Sequence, residues 1–289
     1  MIRIGHIDSE GKFNDNSYLI EAMTMNLPKF TAIYIIENEG MRLMIDAGEA
    51  IKARKIVKKI KELGLYPIHK ILLTHTHWDH AQGISKLKQI MKDSEIEILA
   101  SETGITNLKN PENTNEYYGF NMDSIVDVTP LKEGDIIDLN GLQLEILEMF
   151  GHTMDSIGIM DKKNSNIFVG DAIIDKLDKD AFFTPPMPSD FHENELLRTY
   201  KKLRDIKTEF NSISIAHFGV WTEKDYEQIL DDMEDLYFKV KDSILNWHNK
   251  DLPIDEIANL YINKFMPYSK IWNAELMKVL IEWMIAGLK

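Results

Sequence analysis

Three imidazoles and a carboxylate are packed into six residues, His75-Thr76-His77-Trp78-Asp79-His80, directly after the apolar run Ile71-Leu72-Leu73. That run reads as a short buried strand closed by Thr74. Ala81 to Met91 reads as a helix with Ile84, Leu87 and Ile90 near one face. The polar cluster therefore falls in a strand-to-helix turn, the edge of an α/β sheet at which ligands usually bind. Neutral imidazole nitrogens and carboxylate oxygens are ligands of zinc and related metals. His75 and His77 are two residues apart, so in extended backbone they point to one side and can share an ion. Asp79 and His80 fall where the chain bends into the helix and can face a second ion. The plain alternative is a surface turn that collects histidines, and the strand–turn–helix setting argues against it.

Other potential ligands follow strand-like runs in the same way. Gly151-His152-Thr153 comes after Leu142 to Leu147, Gly170-Asp171 after Ile167-Phe168-Val169, and His217 after Ile213 to Ile215, as Ala-His-Phe-Gly. Taken in this order, these positions resemble the metallo-β-lactamase superfamily over about residues 1–222. The resemblance implies an α/β fold, a four-layer αββα sandwich with a C-terminal helical appendage. The expected division is 1–222 for the catalytic domain and 223–289 for the appendage. It also implies that His75, His77 and His152 hold one divalent metal, that Asp79, His80 and His217 hold another, and that Asp171 bridges the two. Zinc is the default ion, with iron or manganese as alternatives. A hydroxide shared by the two metals would attack the substrate, with Asp79 and Asp171 as the catalytic carboxylates and Asp79 holding or relaying a proton. The family often carries an Asp at the position of Asp46 that orients a ligating imidazole; a helix N-cap is the other role open to Asp46.

The same resemblance narrows the substrate only to a class. Relatives hydrolyse thioesters, lactones, β-lactams and phosphodiesters, and some do redox chemistry. The motif is closest to the glyoxalase II-like thioesterase and lactonase branch, which implies a small carboxylic ester, thioester or lactone. Three positions depart from the branches they would define. Ala81-Gln82-Gly83 differs from the small-Gly-Gly continuation of the thioesterases, Ile174 stands where the lactonases carry Tyr, and His77 stands where the flavodiiron proteins carry Glu. Lys224, Lys239 and Lys241 are available to hold a glutathione carboxylate, but nothing aligns them. A phosphodiesterase, a mononuclear iron dioxygenase acting on persulfides, and a non-catalytic metal-stabilised binding protein remain as alternatives.

Composition removes several partners. The chain has no Cys, so any metal is held by N and O donors, and a cytoplasmic location is expected. A net charge of −14 repels polyanions and anionic membranes, so neither nucleic acid nor membrane is an expected partner. No run of eighteen apolar residues is present, and Met1 to Asp8 breaks its apolar residues with charges, reading as a first strand rather than a signal peptide. From Glu223 onward the pattern turns helical, over 223–248, 254–265 and 273–287. From Lys224 to the end there are 8 Lys, no Arg and 12 acidic residues, the wrong sign for phosphate binding. This tail is expected to pack on the main domain, to cover the site, or to make a homodimer.

Between these landmarks, 31–36 and 41–45 read as hairpin strands, and Asn140-Gly141 as the turn of another hairpin within 125–147. Residues 157–160 and 167–169 form a further hairpin that delivers Asp171. Residues 49–63 read as an amphipathic helix ended by Gly64. Ile51, Ile56, Ile60 and Leu63 are expected inside, and Lys52, Lys55, Lys58, Lys59 and Lys61 in water. Residues 110–123 suit either a loop whose aromatics line a pocket or an ordinary packed surface loop, and 181–188 suits a hydrophobic lip over the metals or a buried floor. His69 and His192 are expected to lie outside the ligand set. Thr153 and Ser156 are expected to bond neighbouring ligands or loop backbone.

Overall fold

In the run Ala32–Asn38, Ala32, Tyr34 and Ile36 face one way and Ile33 and Ile35 the other, and all five are buried. A strand with both faces apolar must lie between two layers. The computed structural model, which describes residues 5–173, 186–188, 190–269 and 272–289, places it so. One seven-stranded sheet runs β2 (Gly11–Lys12), β3 (Ser17–Glu21), β4 (Ala32–Asn38), β5 (Met41–Ile45), β6 (Lys70–Leu72), β7 (Glu97–Ser101) and β8 (Thr129–Leu131). The other runs β1 (His6–Ile7), β14 (Gly219–Thr222), β13 (Ser212–Ile215), β12 (Asn166–Phe168), β11 (Ile157–Asp161), β10 (Leu142–Glu148) and β9 (Ile136–Leu139). Strands β5 to β8 pair in parallel, as do β12 and β13, and the remaining pairs are antiparallel.

The alternation along each strand sorts the layers. Tyr34, Leu43, Ile45 and Leu72 meet Leu144, Ile146, Ile159 and Phe168 between the sheets. Ile35, Met44 and Ile71 pack under α1 (Ala53–Glu62) and α3 (Ile84–Ile90) on one outer face. Val169, Ile213 and Trp221 pack under α6 (Glu193–Asp205) and α7 (Glu223–His248) on the other. Each fully buried Leu or Ile contributes about 1.5–3 kcal/mol, so these clusters supply most of the driving force. The expected αββα layering is the observed one. The end of α7, with α8 (Ile254–Phe265) and α9 (Ala274–Gly287), makes a separate cluster that also takes in Phe30. The tail thereby leans on the sheet edge that carries the motif. No helix among the described residues is long and apolar enough to cross a membrane.

Three local expectations change. The helix expected over 49–63 begins as a 3-10 turn, Ala50–Lys52, before α1. That tighter turn rotates Ile51 outward, to 82% exposure, and Lys52 inward, to 5%. The Lys52 ammonium then donates to Asn26 Oδ1 instead of facing water. Residues 110–123 are not all loop: Glu112–Tyr118 is a helix, α5, closed by Gly119 at φ 72°. The helix expected from Ala81 is two, α2 (Trp78–Ala81) and α3, joined at Gly83. A Cβ there would lie 2.2 Å from the Ala47 carbonyl oxygen, so only glycine allows the motif turn to approach β5 this closely.

Candidate metal centre

All of the motif residues leave the same edge of the two sheets. β5 leads to Asp46, β6 to His75, β10 to His152, β12 to Asp171 and β13 to His217. Asp46 organises the turn. Its carboxylate accepts from the Thr74 N–H (2.8 Å), from the Thr74 hydroxyl and from His80 Nδ1 (2.8 Å). It is not a helix cap, because Glu49 precedes the following 3-10 turn.

The potential ligands converge in two groups. His75 Nε2 and His152 Nε2 each lie 3.0 Å from His77 Nδ1. His80 Nε2 lies 3.6 Å from Asp79 Oδ2 and 3.5 Å from Asp171 Oδ1. His217 Nε2 lies 3.6 Å from Asp79 Oδ2 and 3.2 Å from Asp171 Oδ2. Asp171 also reaches the first group, 3.4 Å from His152 Nε2 and 3.9 Å from His75 Nε2. Bonds of about 2.0–2.2 Å in tetrahedral geometry separate neighbouring ligands by roughly 3.3–3.6 Å, so the donors stand at about ligand spacing. All seven residues are buried. Among the described residues, His80 Nε2 and Asp171 Oδ1 are buried with no hydrogen-bond partner. A buried donor or acceptor left this way is costly, and both atoms aim where a cation would satisfy them. The donor set therefore fits divalent metal binding.

Other contacts aim the imidazoles. His80 Nδ1 faces Asp46, and His217 Nδ1 faces the Phe30 carbonyl oxygen at 2.7 Å; a proton on each Nδ1 leaves the Nε2 lone pair toward the site. The Tyr118 hydroxyl donates to the Pro188 carbonyl and lies 3.2 Å from His77 Nε2. It can accept from Nε2–H, which leaves Nδ1 as the ligand atom. The charges divide the two groups. Burial, helped by neighbouring imidazoles, holds His75 and His77 well below the ordinary histidine range despite Asp171. Burial also opposes charge on His80, but Asp79, Asp171 and Asp46 outweigh it and raise His80 well above that range. His217 is raised likewise by Asp171 and Asp79 against burial. Burial alone would raise Asp171, yet His217, His80 and His75 hold it well below the carboxylate range.

The seven residues expected as ligands are thus brought together, and the two expected outsiders stay out. His69 Nδ1 accepts from the Arg42 N–H at 3.1 Å, and His192 precedes the first turn of α6. Thr153 bonds Ser156 (2.7 Å) and Asp155 rather than a ligand. Ile174 and Ala181 to Pro185 lie outside the described residues, as does the Lys224 side chain. Met187 lines the cavity above the cluster, whereas Lys239 and Lys241 do not; Lys241 pairs with Glu193.

Two features had no distinct signal in the sequence. One is the Phe30 carbonyl, since a backbone acceptor can come from any residue. The other is a buried network behind the motif. Asp155 Oδ2 accepts from the Thr76 hydroxyl (2.5 Å) and lies 3.4 Å from Asn107 Nδ2, while Asp190 accepts from the Met154 N–H at 3.0 Å. Burial first, and the charge of Asp155 second, raise Asp190 from 3.8 to about 6. The folded state therefore binds this proton more tightly than the unfolded chain, and stability falls as pH rises from about 4 to about 6. That difference corresponds to about 3 kcal/mol at most. Asp190→Asn keeps an acceptor and removes the charge. Urea unfolding at pH 4 and pH 8 is expected to show the variant gaining roughly 2–3 kcal/mol on the parent between the two. Parallel pH dependence would count against the burial of this charge.

Comparison with known proteins places these features in context. The profile of the Metallo-beta-lactamase superfamily matches residues 27–217. The chain is 32% identical over 142 residues to hydroxyacylglutathione hydrolase GloC of Haemophilus influenzae, covering 48% of this chain and 64% of that one. It is 30% identical over 142 residues to hydroxyacylglutathione hydrolase 1 of Vibrio vulnificus, covering 49% and 47%. It is 24% identical over 165 residues to the acyl-coenzyme A thioesterase MBLAC2 of Gallus gallus, covering 50% and 57%. The alignments thus span about half to two thirds of these relatives' lengths. In fold, the chain is similar to the archaeal metallo-beta-lactamase superfamily protein ST1585 from Sulfolobus tokodaii, with a TM-score of 0.62 at 18% identity, covering 94% of this chain and 98% of that one.

Proposed function

Because this chain belongs to the metallo-beta-lactamase superfamily, we propose that it is a metal-dependent hydrolase of a small carboxylic ester, thioester or lactone, working with two divalent ions. The observation that carries the reading is the convergence of seven buried donors into two groups joined by a His75–His80–Asp171 cluster, with His80 Nε2 and Asp171 Oδ1 left without a hydrogen-bond partner. His75, His77 and His152 would hold one ion, Asp79, His80 and His217 the other, and Asp171 both. Ions held there supply a water-derived nucleophile at neutral pH and Lewis acidity toward a carbonyl.

The chain's own groups account for the rest. Asp79 lines the cavity, where its carboxylate can take a proton from the attacking water and return it to the leaving oxygen or sulfur. Water oxygen bonds to the acyl carbon, the C–O or C–S bond breaks, and the leaving group takes the proton. Asp46, Phe30 and Tyr118 keep the imidazoles in their ligating tautomers. Trp78, Phe30 and Trp283 wall the cavity, which reduces competing water and strengthens the electrostatics inside. Among the described residues no Lys or Arg lines the cavity, which disfavours a phosphodiester.

The test is turnover by zinc-loaded protein of four substrates: an aryl ester, a glutathione thioester, a lactone and a bis-aryl phosphodiester. Hydrolysis of at least one carbonyl substrate, abolished by chelation and restored by zinc, is the expected result. Turnover of the phosphodiester alone would contradict the assignment.

A further inference from the structure

Above the metal cluster the chain encloses a cavity of about 140 Å³. Beside Trp78 and Tyr118, much of its wall comes from Met25 and Leu27 in the loop before β4, from Met187, and from Trp283 and its neighbours on α9. Outside the metal cluster, the only charged side chain lining it among the described residues is Glu275, which sits at the rim, 84% exposed and paired with Lys278 at 3.2 Å. A charged acyl group finds no cation on these walls. An uncharged hydrocarbon finds apolar contact almost throughout.

The loop wall is held in place at evident cost. Met23, Met25, Asn26 and Lys29 all have φ between 54° and 62°, a conformation that L side chains rarely adopt. Two buried polar residues hold it: Glu49 accepts from the Met25 N–H at 3.0 Å, and Lys52 donates to Asn26. Strain of this kind persists only where the surroundings over-determine it, and it gathers at ligand sites. Here its product is the placement of Met25 and Leu27 opposite α9.

We propose that this cavity is an acyl pocket, which takes an uncharged aliphatic acyl group of up to about six carbons and leaves the alcohol or thiol half of the substrate toward solvent. Volume sets the upper size, since an apolar cavity of roughly 150 Å³ accepts six carbons and this one also borders the metal cluster. The inference rests on the hydrolase reading and names the substrate class within it.

The experiment has a kinetic arm and a binding arm. Zinc-loaded full-length protein is assayed on p-nitrophenyl esters from acetyl to decanoyl. Metal-free protein is titrated calorimetrically with acetamide and hexanamide, neutral amides that stand in for the acyl half. Each buried methylene is worth about fourfold, so kcat/KM and amide affinity are both expected to rise on the order of a hundredfold from two carbons to six. Beyond about eight carbons kcat/KM is expected to fall. Val279 is 45% exposed, so Val279→Trp can narrow the mouth without disturbing the core. This variant, and Leu27→Trp on the facing wall, are each expected to lower the hexanoyl-to-acetyl ratio at least tenfold. Ester hydrolysis with a flat chain-length profile, or with equal amide affinities, would overturn the acyl pocket and leave the hydrolase reading standing. Hydrolysis of no ester, thioester or lactone, with hexanamide binding tightly, would overturn the hydrolase reading and keep the pocket.

Discussion

Asp171→Asn is expected to lower kcat/KM by on the order of a thousandfold and to reduce bound zinc. Asp171 reaches both donor groups, 3.4 Å from His152 and 3.2 Å from His217. Metal stabilisation of transition-state charge is worth several kcal/mol, and losing about 4 kcal/mol is about a thousandfold in rate. The metal-free protein is also expected to suffer. Asp171 is the shared counter-charge of His80 and His217, whose protonated forms it supports against burial. Removing one member of a buried charged group costs about 3–5 kcal/mol. Chemical unfolding of the metal-free variant is therefore expected to show a loss of roughly 3 kcal/mol, separable from the kinetic effect. Unchanged kinetics and unchanged metal content would remove Asp171 from the site.

Asp46→Ala is expected to cost 10- to 100-fold in metal affinity or activity, although Asp46 lies behind the ligands. The substitution strips the partner from His80 Nδ1 at 2.8 Å and from the Thr74 N–H at 2.8 Å. His80 would then be free to rotate, and a buried backbone donor would be left unsatisfied at about 1–3 kcal/mol. Asp46→Asn, which can still accept one of these bonds, is expected to recover part of the loss. Titration with a zinc chelator measures the first effect and thermal unfolding the second. A variant that loses stability but keeps full zinc affinity would make Asp46 a structural residue only.

The sequence was most legible where local chemistry and strand order coincide. His75 to His80, His152, Asp171 and His217 each follow an apolar run that became a strand, so their convergence needed only the sheet edges to align. Helices with long amphipathic patterns also came through, and α7 and α8 occupy the expected spans. Positions governed by contacts across the fold did not. Nothing in the periodicity of 49–63 distinguishes Lys52 from its neighbours. Its burial comes from a 3-10 start and from Asn26, twenty-six residues away in sequence. Likewise Trp272, Leu276 and Trp283 read as a helical core, which they are in part. That they also wall the cavity depends on where the tail docks, a tertiary fact that the amphipathic pattern of a single helix does not contain. The helix at 112–118 was hidden by its polar composition, and its value to the site is one hydroxyl, that of Tyr118.

The central claim is that the seven buried donors are a two-ion centre that drives hydrolysis. Titrating metal-free protein with zinc while following both bound metal and ester turnover tests it most directly. Two ions are expected to bind per chain, with turnover appearing as they bind and lost again on chelation. Ester turnover unchanged by metal, or a folded protein that takes up no zinc at this cluster, would contradict it.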